Sequence, residues 1–469
     1  MIDTEVTSAY LDELLKFIHQ HYILPLQERF TNVKRTFVDH DYVLAFTALG
    51  PERRWSVDVE MRAGKPVQVK MIPSDVTIPK EALDQLREDL IIGVQLFEEK
   101  VRRTTLYFAW VEGEEVIPEK VLLRRRKLIS KIFFENMLFL FIIFIAVSIF
   151  VFMTFGAYAP IVLVAFQFIM VLISDKIIMK MGDWAITEKN PNVHLLQYHL
   201  PVEEYTQFQQ KYTRDMLIQM KKEIYEKTLA VGKVVDCETA EEVLSKYGLK
   251  CVPENMSTKT VNVYQIVKKA AEIFDLPVPK IVISNTILPN AAASGPNPKR
   301  GVVLVTTGLL VQLEDDEILS VVGHEFSHLN GRDPLVLFAL TASEYLFRVY
   351  LSYFFWPFFM AFGYLYLLFA LSLVYFIAKF FESRADLESA VKIGQPQVMA
   401  EALRKIGFRK LQFERVPAYR VQGWIGWDPH PPIYFRISRL EKLKTPEKVK
   451  HPLIQSIKDN VRGLLAALR

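Results

Sequence analysis

The sequence predicts a multi-pass α-helical membrane protein with a mainly α (α+β) soluble domain and a small α/β or α+β domain at its N-terminus. Hydrophobic residues make up 51% and aromatic residues 12% of the 469-residue chain. Much of this apolar content lies in two long tracts, with ordinary charged sequence around them. We expect five segments: a soluble N-terminal domain over 1–131, a transmembrane hairpin over 132–180, the first part of a second soluble domain over 181–333, another transmembrane hairpin over 334–380, and the second part of that domain over 381–469.

The N-terminal segment alternates between helical and strand-like patterns. Apolar residues recur with a helical period over Ala9–Phe30 and over the charged stretch Lys80–Arg103. Four runs have the composition of strands: Tyr42–Leu49, Trp55–Met61, Val67–Ile72 and Leu106–Val111. This segment carries no chemical motif, so the pattern predicts its structure and not its activity.

The first apolar tract is long enough to cross a bilayer twice. No charged residue lies within Met137–Ser174, and a turn at Gly156 and Pro160 would divide the stretch. The predicted spans are Ile132–Phe155 and Pro160–Met179. The alternative is a single tilted span followed by an interfacial helix.

The second apolar tract, Pro334–Phe381, is interrupted at Trp356-Pro357 and again predicts two spans. Asp333 before Pro334 is typical of a helix start. Glu344 and Arg348 stand four apart, so on a helix they share a face and can pair away from lipid. The alternative is an apolar hairpin that dips into the membrane without crossing it.

Basic residues mark the proposed inner ends of the spans, whereas the two outer turns carry no charge. Because each hairpin returns the chain to its starting side, the N-terminal and second soluble domains should both face the cytoplasm of a cell-membrane protein. The basic residues are Arg124, Arg125, Arg126, Lys127, Lys131, Lys176, Lys180, Arg332, Lys379 and Arg384.

The second soluble domain should contain helices over Val202–Ala230 and Tyr264–Phe274, strands over Lys280–Ser284 and Gly301–Thr306, and a mostly helical tail from Glu382. A net charge of +4 is too small to indicate a nucleic-acid surface. The only cysteines, Cys237 and Cys251, predict two ordinary thiols in a reducing compartment.

The second soluble domain carries a His-Glu-x-x-His motif formed by His324, Glu325 and His328. On a helix, residues four apart lie on one face, so both imidazoles can bind one Zn²⁺. Glu325 would then lie beside the metal as a candidate general base. Acidic residues at 315–317 suit the first turn of this helix, and Gly331 can end it. The alternative is a chance pair among the nine histidines of the chain.

A third protein ligand is expected after the second hairpin. Glu382 and Asp386 stand four apart, so Glu382 can bind the metal while Asp386 accepts the N–H of a ligating histidine. Ala385 lets this helix approach closely. Taken alone, Glu-x-x-Ala-Asp is as well explained by an exposed acidic face. An even number of spans returns Glu382 to the side that holds His324, which favours the metal site.

This order of two spans, His-Glu-x-x-His, two more spans and Glu-x-x-Ala-Asp resembles the HtpX-type heat-shock membrane proteases. It is more distantly similar to the CAAX prenyl proteases, and all are gluzincins. The resemblance covers about seven-tenths of the chain, from the first span onward, and leaves the N-terminal domain outside. Further matching pieces are Asn290–Gly295, Val305–Leu310 and His430-Pro431-Pro432 with Arg436.

The resemblance implies a zincin fold for the second soluble domain and a substrate-binding edge. It also implies that His430 and Arg436 lie near the catalytic centre, where cationic donors can stabilise an oxyanion. From the residues alone, Asn290–Gly295 is a plain loop, and the segment from His430 to Arg436 is a Pro-rich turn capped by a helix. The implied edge consists of Asn290, Ala291, Ala292, Ala293, Ser294 and Gly295.

The resemblance implies a membrane-bound zinc endopeptidase with one Zn²⁺ per chain. Its expected partners are the lipid bilayer and polypeptide substrates, chiefly membrane or misfolded proteins cleaved on the cytoplasmic side. One alternative is processing of prenylated C-terminal motifs, although four spans are few for the large chamber this would need. Another is a non-catalytic membrane scaffold or transport component, which has no need of a tightly bound zinc.

Overall fold

The computed structural model describes residues 1–38, 41–74, 78–116 and 137–468. The predicted start of the first span at Ile132 and the basic residues from Arg124 to Lys131 lie outside these ranges. The described chain forms two compact units, Met1–Trp110 with His194–Thr260, and Val111–Val193 with Val261–Arg469.

The helices are α1 Leu11–Ile18, α2 Lys80–Arg102, α3 Met137–Phe155, α4 Ala159–Leu172, α5 Ser174–Met181, α6 Val202–Lys211, α7 Arg214–Lys227, α8 Cys237–Lys246, α9 Val263–Phe274, α10 Thr307–Gln312, α11 Asp315–Gly331, α12 Asp333–Phe354, α13 Trp356–Ile393, α14 Pro396–Glu414, α15 Pro417–Ile425, α16 Ile433–Glu441 and α17 Pro452–Ala467. The strands are β1 Phe30–Val38, β2 Asp41–Leu49, β3 Ser56–Arg62, β4 Gln68–Pro73, β5 Thr105–Val111, β6 Trp184–Ile186, β7 Asn192–His199, β8 Met256–Asn262, β9 Lys280–Ser284, β10 Ala291–Ser294 and β11 Val302–Thr306.

The first unit is built on an antiparallel sheet of order β1-β2-β3-β4. Alternate residues on β2 and β3 are buried, as expected where one face of a sheet is covered. Leu44 and Phe46 on β2 belong to the same core cluster as Leu14 of α1 and Leu90 and Val94 of α2. Burial of these apolar faces holds the two helices against the sheet.

Two features of the first unit differ from the sequence prediction. The expected helix over Ala9–Phe30 is regular only over α1, and Phe30 begins β1 instead. Beyond Phe30 and Thr31, β1 is exposed, so this edge strand lacks the apolar alternation that identifies a strand. The first unit also takes in residues 194–260, because β5 joins β7 and β8 in a three-stranded sheet.

Cys237 and Cys251 form a disulfide with their Cα atoms 5.5 Å apart, so the prediction of two ordinary thiols was wrong. Gly248 adopts a φ of +71° just after α8, a conformation that favours glycine. The amide of Leu249 donates to the Leu244 carbonyl across this turn. The turn brings Cys251 back to the start of α8, and a spacing of 14 residues carries no sequence signal for it.

The apolar helices of the second unit form two hairpins whose turns lie at the same end. Gly156, with a φ of +53°, begins the turn between α3 and α4. The Tyr350 hydroxyl near the end of α12 donates to the Ala157 carbonyl at 3.0 Å. At the other end, the rings of Phe168 and Phe338 stack with centroids 5.6 Å apart. α4 and α12 therefore run antiparallel.

Three stretches of the described residues are long and apolar enough to cross a membrane: Ile145–Leu172, Asp333–Phe354 and Trp356–Ile393. The first includes the turn at Gly156, so it combines residues from both helices of the first predicted hairpin. The sequence predicted four spans, and this difference arises from that one stretch. The predicted fold class, a multi-pass helical membrane protein with α+β soluble parts, is confirmed.

The soluble part of the second unit combines a mixed sheet with helices α9 to α11, the C-terminal part of α13 and helices α14 to α17. Its sheet has the order β10-β11-β9-β6, and β11 and β9 are the parallel pair. The expected strand over Lys280–Ser284 and the helix over Tyr264–Phe274 are confirmed, the latter as α9. The expected helix over Val202–Ala230 is broken where Tyr212 becomes extended between α6 and α7.

Gly308, at the start of α10, allows two backbone segments to touch. A Cβ atom at this position would lie 1.9 Å from the carbonyl oxygen of Ile287. The Gly308 amide also donates to the Thr286 carbonyl at 2.9 Å. No rotamer change can relieve a clash with backbone, so the segment that precedes β10 would have to move.

We predict that Gly308→Ala lowers the free energy of unfolding by roughly 1–3 kcal/mol, the usual cost of overpacking. Gly93→Ala in α2 is the matched control, because its Cβ would meet Ile18 at an ordinary 3.5 Å. The control should be neutral or stabilising, since alanine favours a helix. Thermal unfolding in detergent measures both, and equal melting temperatures would contradict the prediction.

Candidate metal centre

Helix α11 carries both histidines of the motif and begins with a reciprocal cap. The Glu314 amide donates to the Glu317 carboxylate at 2.8 Å, while the Glu314 carboxylate accepts from the first turn. The helix ends at Gly331, and Arg332 adopts a φ of +52°. His324 and His328 lie one turn apart on the same face, with their Nε2 atoms 3.1 Å apart.

Glu382 on α13 approaches both imidazoles. Its Oε2 lies 3.4 Å from His324 Nε2, and its Oε1 lies 3.4 Å from His328 Nε2. Ligand atoms bonded tetrahedrally to zinc at about 2.0–2.1 Å lie about 3.3–3.4 Å from one another. Glu382 Oε2 is buried and has no hydrogen-bond partner within the described chain. The three side chains therefore fit the donor set and spacing of one zinc ion.

A carboxylate contacts the second ring nitrogen of each histidine. Asp386 Oδ1 lies 2.9 Å from His324 Nδ1, off the N–H axis, so this is an ion-pair contact more than a directed hydrogen bond. Asp333 Oδ2 lies 2.7 Å from His328 Nδ1. Such contacts would fix the ring orientation and leave Nε2 of each ring free to bind a metal.

An arginine holds each of these carboxylates. Nε of Arg436 donates to Asp386 Oδ2 at 2.7 Å, and its NH2 group donates to Oδ1 at 2.6 Å. The NH2 group of Arg384 donates to Asp333 Oδ2 at 2.7 Å and to the Ser327 carbonyl at 3.2 Å. All four side chains are at least 90% buried. The two histidines are thus held by two parallel chains of guanidinium, carboxylate and imidazole.

The electrostatics of the cluster favour a cation between the ligands. Burial alone would lower the pKa of His324, but the carboxylates of Asp386 and Glu382 raise it to about 10. Near neutral pH a proton therefore neutralises part of the acidic charge when no ion is present. Arg436 has its pKa raised above the ordinary value by Asp386, despite the opposing effect of burial.

Glu325 points from α11 toward the strand β10. Its Oε2 accepts a hydrogen bond from the Ala293 amide at 2.7 Å. Burial raises the pKa of this carboxyl, and the nearby histidines oppose the rise. A carboxyl with a raised pKa is better suited to take up and return a proton than an ordinary surface glutamate.

The predicted substrate-binding residues include the edge strand β10. Within the described part of the chain, β10 pairs with β11 on one side only, with Ala291 opposite Val305 and Ser294 opposite Val302. The Ser294 hydroxyl donates to Ser174 at 2.9 Å, so this end of β10 lies at the first residue of α5. Asn290 and Gly295 flank the strand.

His430 lies close to the third candidate ligand, on the loop between α15 and α16. Its Nε2 is 3.5 Å from Glu382 Oε2, and its Nδ1 is 3.0 Å from Asp428 Oδ1. Partial burial would raise the pKa of Asp428, but hydrogen bonds from His430 and Lys410 lower it. Lys379 of α13 donates to the Gly426 carbonyl at 3.1 Å and also to the Asp428 carbonyl. The loop is therefore fixed to the helix that carries Glu382.

The structure thus brings His324, His328, Glu382, Glu325 and His430 together. Arg436 lies on the far side of Asp386, where both donating groups face that carboxylate. Sequence reasoning missed two positioning residues. Asp333 was interpreted only as a helix start and Arg384 only as an inner basic residue, and spacing does not reveal that they meet beside His328.

The comparisons with known proteins agree on one family. The family model described as Peptidase family M48 matches residues 257–444. "Protease HtpX homolog 2" of Methanosarcina mazei is 31% identical over 237 residues, 43% of this chain and 78% of that protein. "Protease HtpX homolog" of Moorella thermoacetica is 34% identical over 165 residues, 30% of this chain and 54% of that protein. The chain therefore spans about half the length of this second relative.

We predict that Asp333→Asn weakens zinc binding by about 10- to 100-fold, the usual effect of removing a carboxylate behind a ligating histidine. The exposed Asp316→Asn in the first turn of α11 is the matched control and should bind zinc as wild type does. Titration with a competing chelator measures both affinities. Equal affinities for the two variants would show that Asp333 does not position His328.

Proposed function

The chain belongs to peptidase family M48, and we propose that it is a membrane-embedded zinc endopeptidase. Its substrates are polypeptides, chiefly membrane or misfolded proteins, which it cleaves on the cytoplasmic side. The observation that carries this proposal is the mutual spacing of 3.1–3.4 Å among the Nε2 atoms of two histidines and the carboxylate oxygens of Glu382. This spacing matches tetrahedral zinc with one position left over.

His324, His328 and Glu382 would hold the ion. When bound, zinc supplies Lewis acidity that lowers the pKa of a coordinated water and polarises the scissile carbonyl. Glu325 accepts the proton of the attacking water and then delivers it to the departing amine. The Ala293 amide holds Oε2 of Glu325 at 2.7 Å, which leaves Oε1 to carry the proton.

His430 is suited to stabilise the oxyanion that develops on the carbonyl. Its Nε2 lies 3.5 Å from the same oxygen of Glu382 that approaches His324, and Asp428 accepts from its Nδ1. Because Asp428 accepts the proton on Nδ1, His430 has a second proton on Nε2 to donate to the oxyanion only when its imidazole is charged. Arg436 acts through Asp386, so it is a positioning residue.

An extended substrate would add to the outer edge of β10. The strand consists of Ala291, Ala292, Ala293 and Ser294, whose small side chains do not obstruct a pairing strand, and its Ala293 amide donates to Glu325. Binding there aligns the peptide beside Glu325, because Ala293 already contacts that carboxylate. The alanines impose little selection on substrate side chains, which suits general proteolysis.

The distribution of charge supports a cytoplasmic site. Lys176 and Lys180 follow the first hairpin, and Arg332 precedes the second. Among the described residues, the Cys237–Cys251 disulfide favours the opposite face, since disulfides are rare in a reducing compartment outside thermophiles. The basic residues carry more weight here, because they act on the orientation of the spans themselves.

A scaffold or transport component is the second candidate function, and the Glu344–Arg348 ion pair at 2.8 Å within α12 is the observation that favours it. Charged residues within a span often mark a solute path. One tightly bound zinc per chain would argue against this reading, because a scaffold needs none. Processing of prenylated C-termini would require cleavage that depends on the prenyl group.

We predict that Glu325→Ala retains zinc and loses proteolysis, whereas His324→Ala loses both. Removal of the base leaves the three metal-binding side chains in place, but removal of a ligand does not. Metal content and cleavage of a casein-type substrate are measured on the same purified protein. Full activity in Glu325→Ala would refute the assignment of the base.

We also predict that His430→Ala retains zinc and lowers kcat by about 10²- to 10³-fold, as loss of an oxyanion donor does. Arg436→Lys should instead weaken zinc binding, because a lysine cannot donate two parallel hydrogen bonds to Asp386. Chelator titration and steady-state kinetics separate the two effects. Weakened zinc binding in His430→Ala with normal binding in Arg436→Lys would reverse the proposed assignments.

A further inference from the structure

The segment from Phe413 to Trp427 presents exposed apolar side chains on a soluble part of the second unit. Its exposed large residues have 48–60% of their surface accessible: Phe413, Val416, Tyr419, Ile425 and Trp427. The rings of Phe413 and Tyr419 contact each other with centroids 6.0 Å apart. Exposed apolar groups in such number usually mark a surface that another phase or molecule covers.

The inner side of this segment is firmly anchored, so the exposure does not come from loose packing. Trp424 is 1% exposed and packs edge-on against Phe435 at 4.8 Å. Nε of Arg420 donates to the Glu414 carbonyl at 2.7 Å. The Glu414 carboxylate in turn accepts from the Ile433 amide at the start of α16. The apolar face is therefore held outward by a structured support.

The segment meets α13 where the lipid-facing part of that helix ends. Trp427 Nε1 donates to the Ser372 hydroxyl at 3.3 Å. Leu373, the next residue, is the last exposed large apolar residue of α13, whereas Ala378 and Lys379 are buried. Trp356 is exposed at the other end of the helix.

The length of this exposed stretch matches a membrane. From Trp356 to Leu373, α13 rises about 26 Å, close to the hydrocarbon thickness of about 30 Å. Tryptophan and tyrosine concentrate at the two boundaries between hydrocarbon and water. Trp356 would occupy the outer boundary, and Trp427 with Tyr419 the inner one.

We propose that the 413–427 segment lies in the headgroup region of the bilayer and holds the metal centre close to the lipid surface. This inference rests on the proposed function and specifies its substrates as polypeptide segments that lie directly next to the membrane. Glu382 follows Ser372 by about 15 Å along α13. An extended peptide covers that distance with about four or five residues.

The candidate substrate strand approaches the membrane from the other hairpin. Ser294 at the end of β10 contacts Ser174, and the NH2 group of Arg300 donates to the Leu172 carbonyl at the end of α4. An extended peptide on β10 would thus lie beside the inner end of the first hairpin. The exposed side chains of the 413–427 segment fit a lipid surface better than a protein partner, because Trp427 makes them continuous with the lipid-facing side of α13.

Tryptophan fluorescence in vesicles that contain brominated lipids tests the contact. Trp356→Phe serves as the background, and Trp356→Phe with Trp427→Phe as the comparison. Brominated lipid should quench a fluorescence component that is present in the Trp356→Phe protein and missing from the double variant, because that component comes from Trp427. Equal quenching in the two proteins would overturn the proposal. Protection of Trp427 from both bromolipid and aqueous acrylamide would indicate a protein partner and would also overturn it.

Cleavage of one peptide, either free or tethered to the vesicle through an acyl chain, tests the consequence. Tyr419→Ser with Ile425→Ser should lower the ratio of tethered to free cleavage at least fivefold and leave the free peptide unaffected. Val231→Ser with Val234→Ser in the first unit is the matched control, since both residues are exposed and lie outside the 413–427 segment. An unchanged ratio would overturn the proposal.

The two experiments separate this inference from the proposed function. If wild-type protein cleaves neither peptide, the proposed protease activity fails, whereas the bromolipid measurement still reports on the lipid contact. If the wild type cleaves both peptides equally well, proteolysis stands and the preference for membrane-adjacent substrates fails.

Discussion

The candidate centre depends on the balance of charge in a buried cluster. Four carboxylates, those of Glu325, Asp333, Glu382 and Asp386, surround two histidines, and two guanidinium groups compensate them. With neutral imidazoles and ionised carboxylates, these groups carry a net negative charge, and Glu388, which pairs with Arg384 at 3.7 Å, adds to it, so a bound cation would reduce the imbalance. Burial makes an uncompensated charge costly, so the same arrangement that attracts an ion also raises the pKa of His324 without one.

The sequence predicted the parts of this centre that follow helical spacing. His324 and His328 are four apart, as are Glu382 and Asp386, and each pair shares a face of one helix. Asp333 and Arg384 could not be predicted in their observed roles, because they meet only when α11, α12 and α13 pack together. Asp333 both begins α12 and contacts His328. An acidic residue before a proline is most often explained as a helix start, so the sequence does not indicate the second role.

The same distinction between local and long-range determinants explains the fold. Buried strands such as β2 and β9 have strong apolar patterns and were predicted within one residue of their bounds. The exposed edge strand β1 has no such pattern. The division of the chain between the units could not be predicted, because β5 pairs with β7 across a membrane hairpin. Nor does the spacing of two cysteines indicate that a turn at Gly248 brings them together.

Lys379 joins the loop that carries His430 to α13, the helix that runs from the candidate membrane span to Glu382. This side chain is fully buried, and burial of an ammonium costs on the order of several kcal/mol unless acceptors surround it. Its acceptors are the carbonyls of Gly426 and Asp428, on the loop that also carries His430. Breaking these bonds would leave a buried charge unpaired, so the loop is strongly held to α13. Because α13 also carries Glu382, the third candidate ligand and the candidate oxyanion donor share one rigid support, and that support begins in the membrane.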